Sequence, residues 1–332
     1  MQEILCGDDE RRIPPLYQSK LSLEEGQLLR SGNGEKVPSR FVKEDPVHRL
    51  PRWLILVQVM GAALLLMSSP ASLSAQTKAP LEAAEEAPEK AAAAVAPPLE
   101  EKPFTDSVTG MEFVLVKGGC FAMGDTFGDG LPDERPVREV CLDDFYLGKY
   151  EVTQKQWELV MGSNPSRFKG GDRPVEQVSW SDVQRFISRL NDQSGQKFRL
   201  PTETEWEYAA RSSGKREKYA GTSQEIDLGQ YAWYFLNSGS QTHAVGEKRR
   251  NDLGLYDMNG NVWEWCADWY GENYYQGRPK HNPEGPSTGS NKALRGGSWF
   301  NDAGNLRLAY RYAFSPEYRA GTIGFRLAVR RQ

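Results

Sequence analysis

Glycine and proline interrupt every amphipathic stretch after residue 104, so the sequence has no room for long uninterrupted helices. The 332 residues include 32 Gly, 20 Pro, 9 Trp and 14 Tyr. Turn-forming residues combined with large aromatic side chains are typical of a fold whose chain reverses often and stacks rings in its core. We therefore expect a loop-rich domain rather than a helical enzyme.

Three segments precede that domain. Residues 1–51 are polar and without clear periodicity; a translation start downstream of Met1 is the simplest explanation, and a short cytoplasmic tail is the alternative. Residues 52–75 contain the uncharged run WLILVQVMGAALLLM, about 15 apolar residues where a bilayer span needs about 20. This layout predicts a signal peptide, with a single membrane anchor as the alternative. Residues 76–103, rich in Ala, Glu and Pro, are predicted to be a semi-rigid linker.

The export segment places the domain outside the cytoplasm, as a periplasmic, secreted or membrane-anchored protein. With 41 Lys and Arg against 45 Asp and Glu, the chain carries a net charge of -4 and no basic stripe. Nucleic acid is therefore not an expected partner. Four Cys and three His are too few for a zinc framework.

Local signals predict three helices. Each has a polar residue suited to cap its first turn, and two are followed by a glycine suited to end it. The predicted starts are Thr153 before QKQWELVM, Ser179 or Ser181 before DVQRFISRLNDQS, and Thr202, which forms a capping box with Glu205. Strands are predicted within MEFVLVKGGCFAM and EVCLDDFYLGKYEVT, and later within RGGSWF, LRLAYRY and IGFRLAVR.

Seven motifs occur together in one order: FVLVKGGCFAMGD, DDFYLGKYEVTQKQW, PVEQVSWSDVQRF, FRLPTETEWEYAAR, GLYDMNGNVWEWCADW, LRGGSW and IGFRLA. In sequence and order they resemble the formylglycine-generating-enzyme, or sulfatase-modifying factor, family over nearly all of residues 111–330. The resemblance implies a single α+β domain of the C-type-lectin-like kind, over residues 104–332.

The family's oxidase holds copper with two cysteines five residues apart, because soft thiolates suit Cu(I). The resemblance places these two positions at Asn301 and Leu306, neither of which ligates Cu(I). Copper is therefore not expected, and the protein is expected to be non-catalytic. A formylglycine-generating oxidase working by another route is the enzyme alternative. Its only late thiol is Cys266, which we expect to be a buried small hydrophobe.

The loop DMNGNVWEW resembles a calcium site of the family. The resemblance implies a structural Ca²⁺ held by oxygen ligands, as calcium prefers. The alternative is a metal-free turn in which Asn259 and Asn261 bond the backbone. The implied ligands are the side chains of Asp257 and Glu264 and the carbonyls of Gly260 and Val262.

Two features of the early strands carry further predictions. Cys120 and Cys141 lie in the two strand segments, and pairing as a disulfide is their expected state in an exported protein. Between them lies the acidic stretch DTFGDGLPDE, residues 125–134, which fits no EF-hand pattern and is predicted to be a solvated hairpin loop.

The last segment is predicted to bind a protein, peptide or glycan. Aromatic and small polar residues there alternate with framework positions, and they resemble the ligand-facing set of variable proteins of diversity-generating retroelements. An ordinary polar and aromatic surface of a non-catalytic family member is the alternative. In both cases rigid aromatic side chains offer contact area at low entropic cost. The predicted surface comprises Phe300, Asn301, Asp302, Gly304, Tyr312, Phe314, Tyr318 and Thr322.

Overall fold

The computed structural model describes residues 102–330. The predictions for residues 1–51 and 52–75, and for all but the last two residues of the linker, lie outside the described residues. Within residues 102–330 the longest helix has 15 residues, and none is long and apolar enough to cross a bilayer.

Eleven short strands form three sheets within the described chain. The first sheet has the order β1-β2-β5-β11-β6 and is antiparallel throughout. The second has the order β10-β7-β8-β9, with β10 parallel to β7. The third is the antiparallel ribbon β3-β4. The strands are Phe104–Thr105 (β1), Glu112–Val116 (β2), Gly119–Met123 (β3), Arg138–Leu142 (β4), Phe145–Gly148 (β5), Phe198–Arg199 (β6), Trp263–Trp269 (β7), Lys292–Arg295 (β8), Tyr312–Phe314 (β9), Ile323–Gly324 (β10) and Ala328–Arg330 (β11).

The three predicted helices are confirmed. Their bounds are Gln154–Met161 (α1), Trp180–Ser194 (α2) and Glu203–Ala210 (α3), followed by the single turn Tyr274–Gly277 (α4). Ser179, not Ser181, caps α2, and all three caps are reciprocal capping boxes. Left-handed glycines end the first two helices, as predicted: Gly162 and Gly195 have φ of 76° and 68°.

The strand predictions are only partly right. Each early segment divides into two strands instead of forming one. The first segment breaks at Lys117 and Gly118, and the second at Asp143 and Asp144. A Cβ at Gly118 would come within 2.3 Å of the Leu142 carbonyl oxygen, and the Gly118 N–H donates to Asp144. RGGSWF contributes only Arg295 to a strand, because Gly296 and Gly297 have positive φ values that turn the chain out of the sheet.

Aromatic side chains fill the core, as expected from the composition. One cluster joins α1 and α2 to the first two sheets; Trp157 stacks on Phe186 with centroids 5.1 Å apart, and both rings meet Phe325 edge to face. A second cluster, around Trp206 of α3, joins the β3-β4 ribbon to β7 and β8. Each fully buried side chain of this kind contributes roughly 1.5–3 kcal/mol.

The predicted disulfide between Cys120 and Cys141 is present, with the two residues directly opposite each other in the β3-β4 ribbon. The prediction of a solvated hairpin loop at 125–134 is right for its tip, which connects β3 to β4 and is exposed at residues 128, 129, 131 and 132, and wrong for the acidic residues at its ends, which are buried. Glu134 is fully buried and forms a two-pronged ion pair with Arg307, at 2.6 and 2.7 Å. Arg135 binds Asp125 at 2.8 Å and the carbonyls of residues 128 and 130. The acidic residues thus fasten the loop to the domain.

Candidate functional site

Hydrogen bonds from neighbouring loops fix the position of the chain after β8. The backbone N–H of Trp299 donates to the Asn261 carbonyl at 2.9 Å, and its indole N–H donates to the Gly321 carbonyl at 2.8 Å. The carboxamide oxygen of Asn301 accepts from the N–H and hydroxyl of Ser298, at 3.0 and 2.6 Å. This oxygen closes the local turn, and the ligand contact predicted for Asn301 stays a prediction.

Phe300 projects from this turn with 49% of its surface exposed. Its ring packs edge to face against Trp299, with centroids 5.4 Å apart, and Trp299 packs in the same way against Phe168. Phe235 lies on the other side, 6.5 Å from Phe300, and its N–H donates to the Asn301 carbonyl. Phe235 and Leu236 are 50% and 74% exposed.

The other predicted aromatic residues form a stacked row. Tyr312 stacks on Trp263 at 5.2 Å, and Phe314 stacks on Tyr318 at 4.0 Å, while Tyr312 and Phe314 meet edge to face. Tyr318, at the end of the row, is 41% exposed. Residues 312–314 are strand β9, so a sheet fixes the spacing of this row.

A short backbone segment connects the two groups of rings. Trp299 binds the Gly321 carbonyl, and the Trp263 N–H donates to the carbonyl of Thr322 at 2.8 Å. Thr322 therefore lies between the groups, half-buried, whereas Asp302 and Gly304 are exposed at the edge. We call the following side chains the aromatic surface: Phe168, Phe235, Trp299, Phe300, Tyr312, Phe314 and Tyr318.

Sequence reasoning missed Phe168, Phe235 and Leu236, which lie far from the last segment along the chain. The apolar run WYFL before Asn237 is consistent with a buried strand, so it gave no signal that Phe235 and Leu236 are exposed. Phe168 gives no signal either, since only folding brings it to Trp299.

The two positions implied for copper ligands do not form a metal site. Leu306 is fully buried beside Tyr219 and Leu228, and Asn301 is half-buried. Cys266 is also fully buried, and burial raises the pKa of its thiol well above the ordinary value. A thiol in such surroundings is a poor nucleophile.

The DMNGNVWEW loop brings acidic groups together in the interior. Asp257 has φ of 56° and is buried; one carboxylate oxygen accepts the Gly246 N–H at 2.7 Å, and the other has no hydrogen-bond partner. The Glu264 carboxylate receives two bonds from Arg326 and one from the Trp206 indole. The Glu151 carboxylate accepts from Asn261 and from the Val262 N–H.

These contacts fit the implied calcium ligands only in part. Burial raises the pKa of Asp257 to about 6, and its unpartnered oxygen suits a cation. Glu264 is committed to Arg326, and the carboxylate oxygens of Asp257, Glu264 and Glu151 do not all lie within 4.8 Å of one another. Among residues 102–330 the only group of potential metal ligands that close is Cys120, Glu139 and Cys141, and its two sulfurs form the disulfide. Asn261 bonds the His243 backbone, as in the metal-free alternative.

Comparison with known proteins gives consistent similarities. The profile of the family described as "Sulfatase-modifying factor enzyme 1-like domain" matches residues 100–331. Chaperone protein LppX of Paenibacillus barcinonensis is 32% identical over 252 residues, 60% of this chain and 82% of LppX. The formylglycine-generating enzyme of Streptomyces coelicolor is 30% identical over 282 residues, 65% of this chain and 88% of the enzyme. The solved structure of Treponema denticola variable protein 1 superposes with a TM-score of 0.63 and 33% identity, over 69% of this chain and 98% of that one.

Proposed function

The chain belongs to the sulfatase-modifying factor enzyme 1-like family, with the C-type-lectin-like fold of that family, and on this premise we propose that it is an exported, non-catalytic recognition domain. Its ligand is a protein, peptide or glycan that binds the aromatic surface. The observation that carries the proposal is the exposure of Phe300, Phe235 and Tyr318 on a frame fixed by backbone hydrogen bonds.

Exposed rings on a rigid frame favour binding for a physical reason. Large aromatic side chains with few rotatable bonds lose little conformational entropy on binding and bury much apolar area. The rings of Tyr312, Phe314 and Tyr318 are already in contact, the first two edge to face and the last two stacked. These side chains therefore lose little further conformational freedom when a ligand binds, so the entropic cost of association is small.

The residues at the two implied copper positions support a role without oxidation. Leu306 is a buried hydrocarbon, and Asn301 is part of a turn. Neither supplies the thiolate that Cu(I) needs. The similarity to a formylglycine-generating enzyme keeps oxidation as the rival function, and the first experiment below addresses it.

The similarity to a variable protein favours a second candidate, a variable ligand-binding protein of a diversity-generating retroelement. In that case the residues of the last segment differ between copies while the frame stays constant. The genome of origin then carries a reverse-transcriptase gene and a near-copy of the 3′ end of this gene. A genome with neither would refute this candidate.

A structural calcium ion is part of the proposal. Asp257 and the carbonyls of Gly260 and Val262 would hold it, and Glu264 would remain on Arg326. A bound divalent cation supplies charge neutralisation for the buried carboxylates. Asn261, which bonds the Trp299 N–H through its carbonyl, lies in the same loop, so the ion would brace the floor of the aromatic surface.

The oxidase rival is tested by intact-mass analysis. A peptide carrying Cys-x-Pro-x-Arg is incubated with the full chain, Cu(I) and oxygen, with an active family enzyme as control. We expect the peptide thiol to stay unchanged. Conversion to the aldehyde would overturn the non-catalytic assignment.

Binding is tested with a phage library of random peptides and with a glycan array. We expect a ligand enriched on the wild type to bind Phe300→Ala and Tyr318→Ala at least about tenfold more weakly, as expected for anchoring aromatics. Val137→Ala is the matched control, because Val137 is 39% exposed and lies beside the β3-β4 ribbon. Equal binding by all three variants would place the site elsewhere.

A further inference from the structure

A second concavity lies at the C-terminal end of α1. It has a volume of about 530 Å³, within the range of ligand pockets, roughly 300–1,000 Å³. We call it the Trp157 groove. Only Arg319 of its lining belongs to the segment Phe300–Thr322, and none of its lining residues is a member of the aromatic surface, which the groove adjoins where Arg167 lies over Phe168. The residues that line it include Trp157, Met161, Arg167, Gln177, Val178 and Asp182.

The floor of the Trp157 groove is apolar. Trp157 and Val178 are almost fully buried members of the core, and Met161 is half-buried beside them. A methionine side chain adapts its shape to an incoming apolar group. The floor therefore suits one large apolar side chain.

The rim presents hydrogen-bond donors and no uncommitted carboxylate. Asp182 accepts from Ser179 and from the Nε of Arg319 at 2.6 Å, and Arg185 also binds it. By contrast, the Arg167 guanidinium lies over the Phe168 ring at 5.1 Å and takes part in no salt bridge within residues 102–330. Its planar donors suit bidentate binding of a carboxylate.

Glu176 and Gln177 lie near Arg167 at the rim of the groove. One carboxylate oxygen of Glu176 accepts the Phe168 N–H at 2.8 Å, and the other is buried without a hydrogen-bond partner. The Glu176 carboxylate and the Arg167 guanidinium attract each other, but they form no salt bridge. Gln177 lines the groove with φ of 62°, a conformation that non-glycine residues seldom adopt, and its N–H is tied to the Ala320 carbonyl. Strained positions of this kind gather at binding sites.

We propose that the Trp157 groove binds the C-terminal end of a peptide whose last side chain is apolar. The terminal carboxylate binds Arg167, the last side chain rests on Met161, Pro165 and the accessible edge of Trp157, and the carboxamide of Gln177 bonds the last peptide unit. One guanidinium that forms no salt bridge matches the single charge of a carboxylate, whereas a phosphate dianion would call for more cations. This site goes beyond the function proposed for the aromatic surface.

The test is fluorescence anisotropy on the full chain with fluorescein-labelled Gly-Ser-Ala-Phe as the free acid and as the C-terminal amide. We expect the acid to bind at least about tenfold more tightly than the amide. A tenfold difference in Kd corresponds to about 1.4 kcal/mol of binding free energy, which is typical of one lost charge-assisted hydrogen bond. Arg167→Gln should remove that preference. Arg216→Gln should preserve it, since Arg216 also lies over a phenylalanine ring, at 4.3 Å, but far from the groove.

Three outcomes overturn the proposal. The first is that the acid and the amide bind equally or not at all, and the second is that Arg167→Gln keeps the preference for the acid. The third is that decanoate binds at Arg167 while the peptide acid does not, which would assign the groove to a fatty acid. Arg167 makes no ion pair, so its variant should melt at the wild-type temperature. That melt separates a lost contact from a lost fold.

Discussion

Replacing Glu134 with glutamine removes the charge from a buried ion pair while keeping the shape of the side chain. Glu134 is fully buried and its two oxygens meet the two terminal nitrogens of Arg307 at 2.6 and 2.7 Å. One oxygen also accepts the Leu131 N–H. In Glu134→Gln an amide N–H₂ faces the guanidinium, and the buried Arg307 charge keeps only the longer contact with the exposed Asp129 carboxylate, at 4.0 Å.

The cost follows from burial. Removing one partner of a buried ion pair destabilises a protein by about 3–5 kcal/mol. Because glutamine retains the shape and one acceptor oxygen, we take the lower end, about 3 kcal/mol. For a domain of 150–250 residues each kcal/mol shifts the melting temperature by about 2–4 °C, so we expect a fall of about 6–12 °C.

The assay is thermal unfolding followed by circular dichroism, with urea unfolding as a second measure. Glu139→Gln is the matched control, because it removes a carboxylate from the adjoining strand β4 whose partner is the exposed Lys280. Exposed pairs contribute little, so this variant should melt close to the wild type. The double variant with Arg307→Gln should lose less stability than the two single losses added together. Equal and small shifts in melting temperature for Glu134→Gln and Glu139→Gln would refute the reasoning and would indicate that Glu134 is solvated.

Three other predictions concern single side chains. Asp257→Ala should lower the melting temperature more in calcium than in EGTA; an equal fall in both would remove the metal proposal. Glu176→Gln should raise the melting temperature more at pH 7 than at pH 4.5. Burial raises the pKa of the Glu176 carboxyl in the folded protein. The protonated carboxyl therefore stabilises the fold at low pH, and this contribution is lost as the pH rises through that pKa. A gain that does not depend on pH would contradict this reasoning. Cys266→Ala should reduce stability by about 1 kcal/mol in urea unfolding and leave ligand binding intact. A large loss of function in a folded variant would favour the enzyme alternative.

The helices could be predicted because their signals are local. The side chain of Thr153 accepts from the N–H of Gln156, three residues away, and Ser179 and Thr202 do the same for their helices. Gly162 ends its helix in the left-handed conformation that glycine adopts without strain. Such contacts depend on neighbours in sequence, so they are visible before folding.

The candidate site was visible only in part. Phe300, Tyr312, Phe314 and Tyr318 lie in one segment, and their residue types already indicated recognition. The turn-closing role of Asn301 depends on Ser298, whose N–H and hydroxyl both donate to its carboxamide oxygen. Residue type alone does not show which of two hydrogen-bonding roles an amide takes.

The sequence by itself determined the family motifs, the helix starts, the cysteine pair and the absence of cysteine at Asn301 and Leu306. The tertiary structure decided which charges are buried and which rings are exposed. Glu134 and Arg307 lie 173 positions apart, and their ion pair exists because folding removes both from water together. Phe235 joins Phe300 by the same kind of long-range packing. Desolvation is a property of the three-dimensional surroundings, so no local pattern along the chain encodes it.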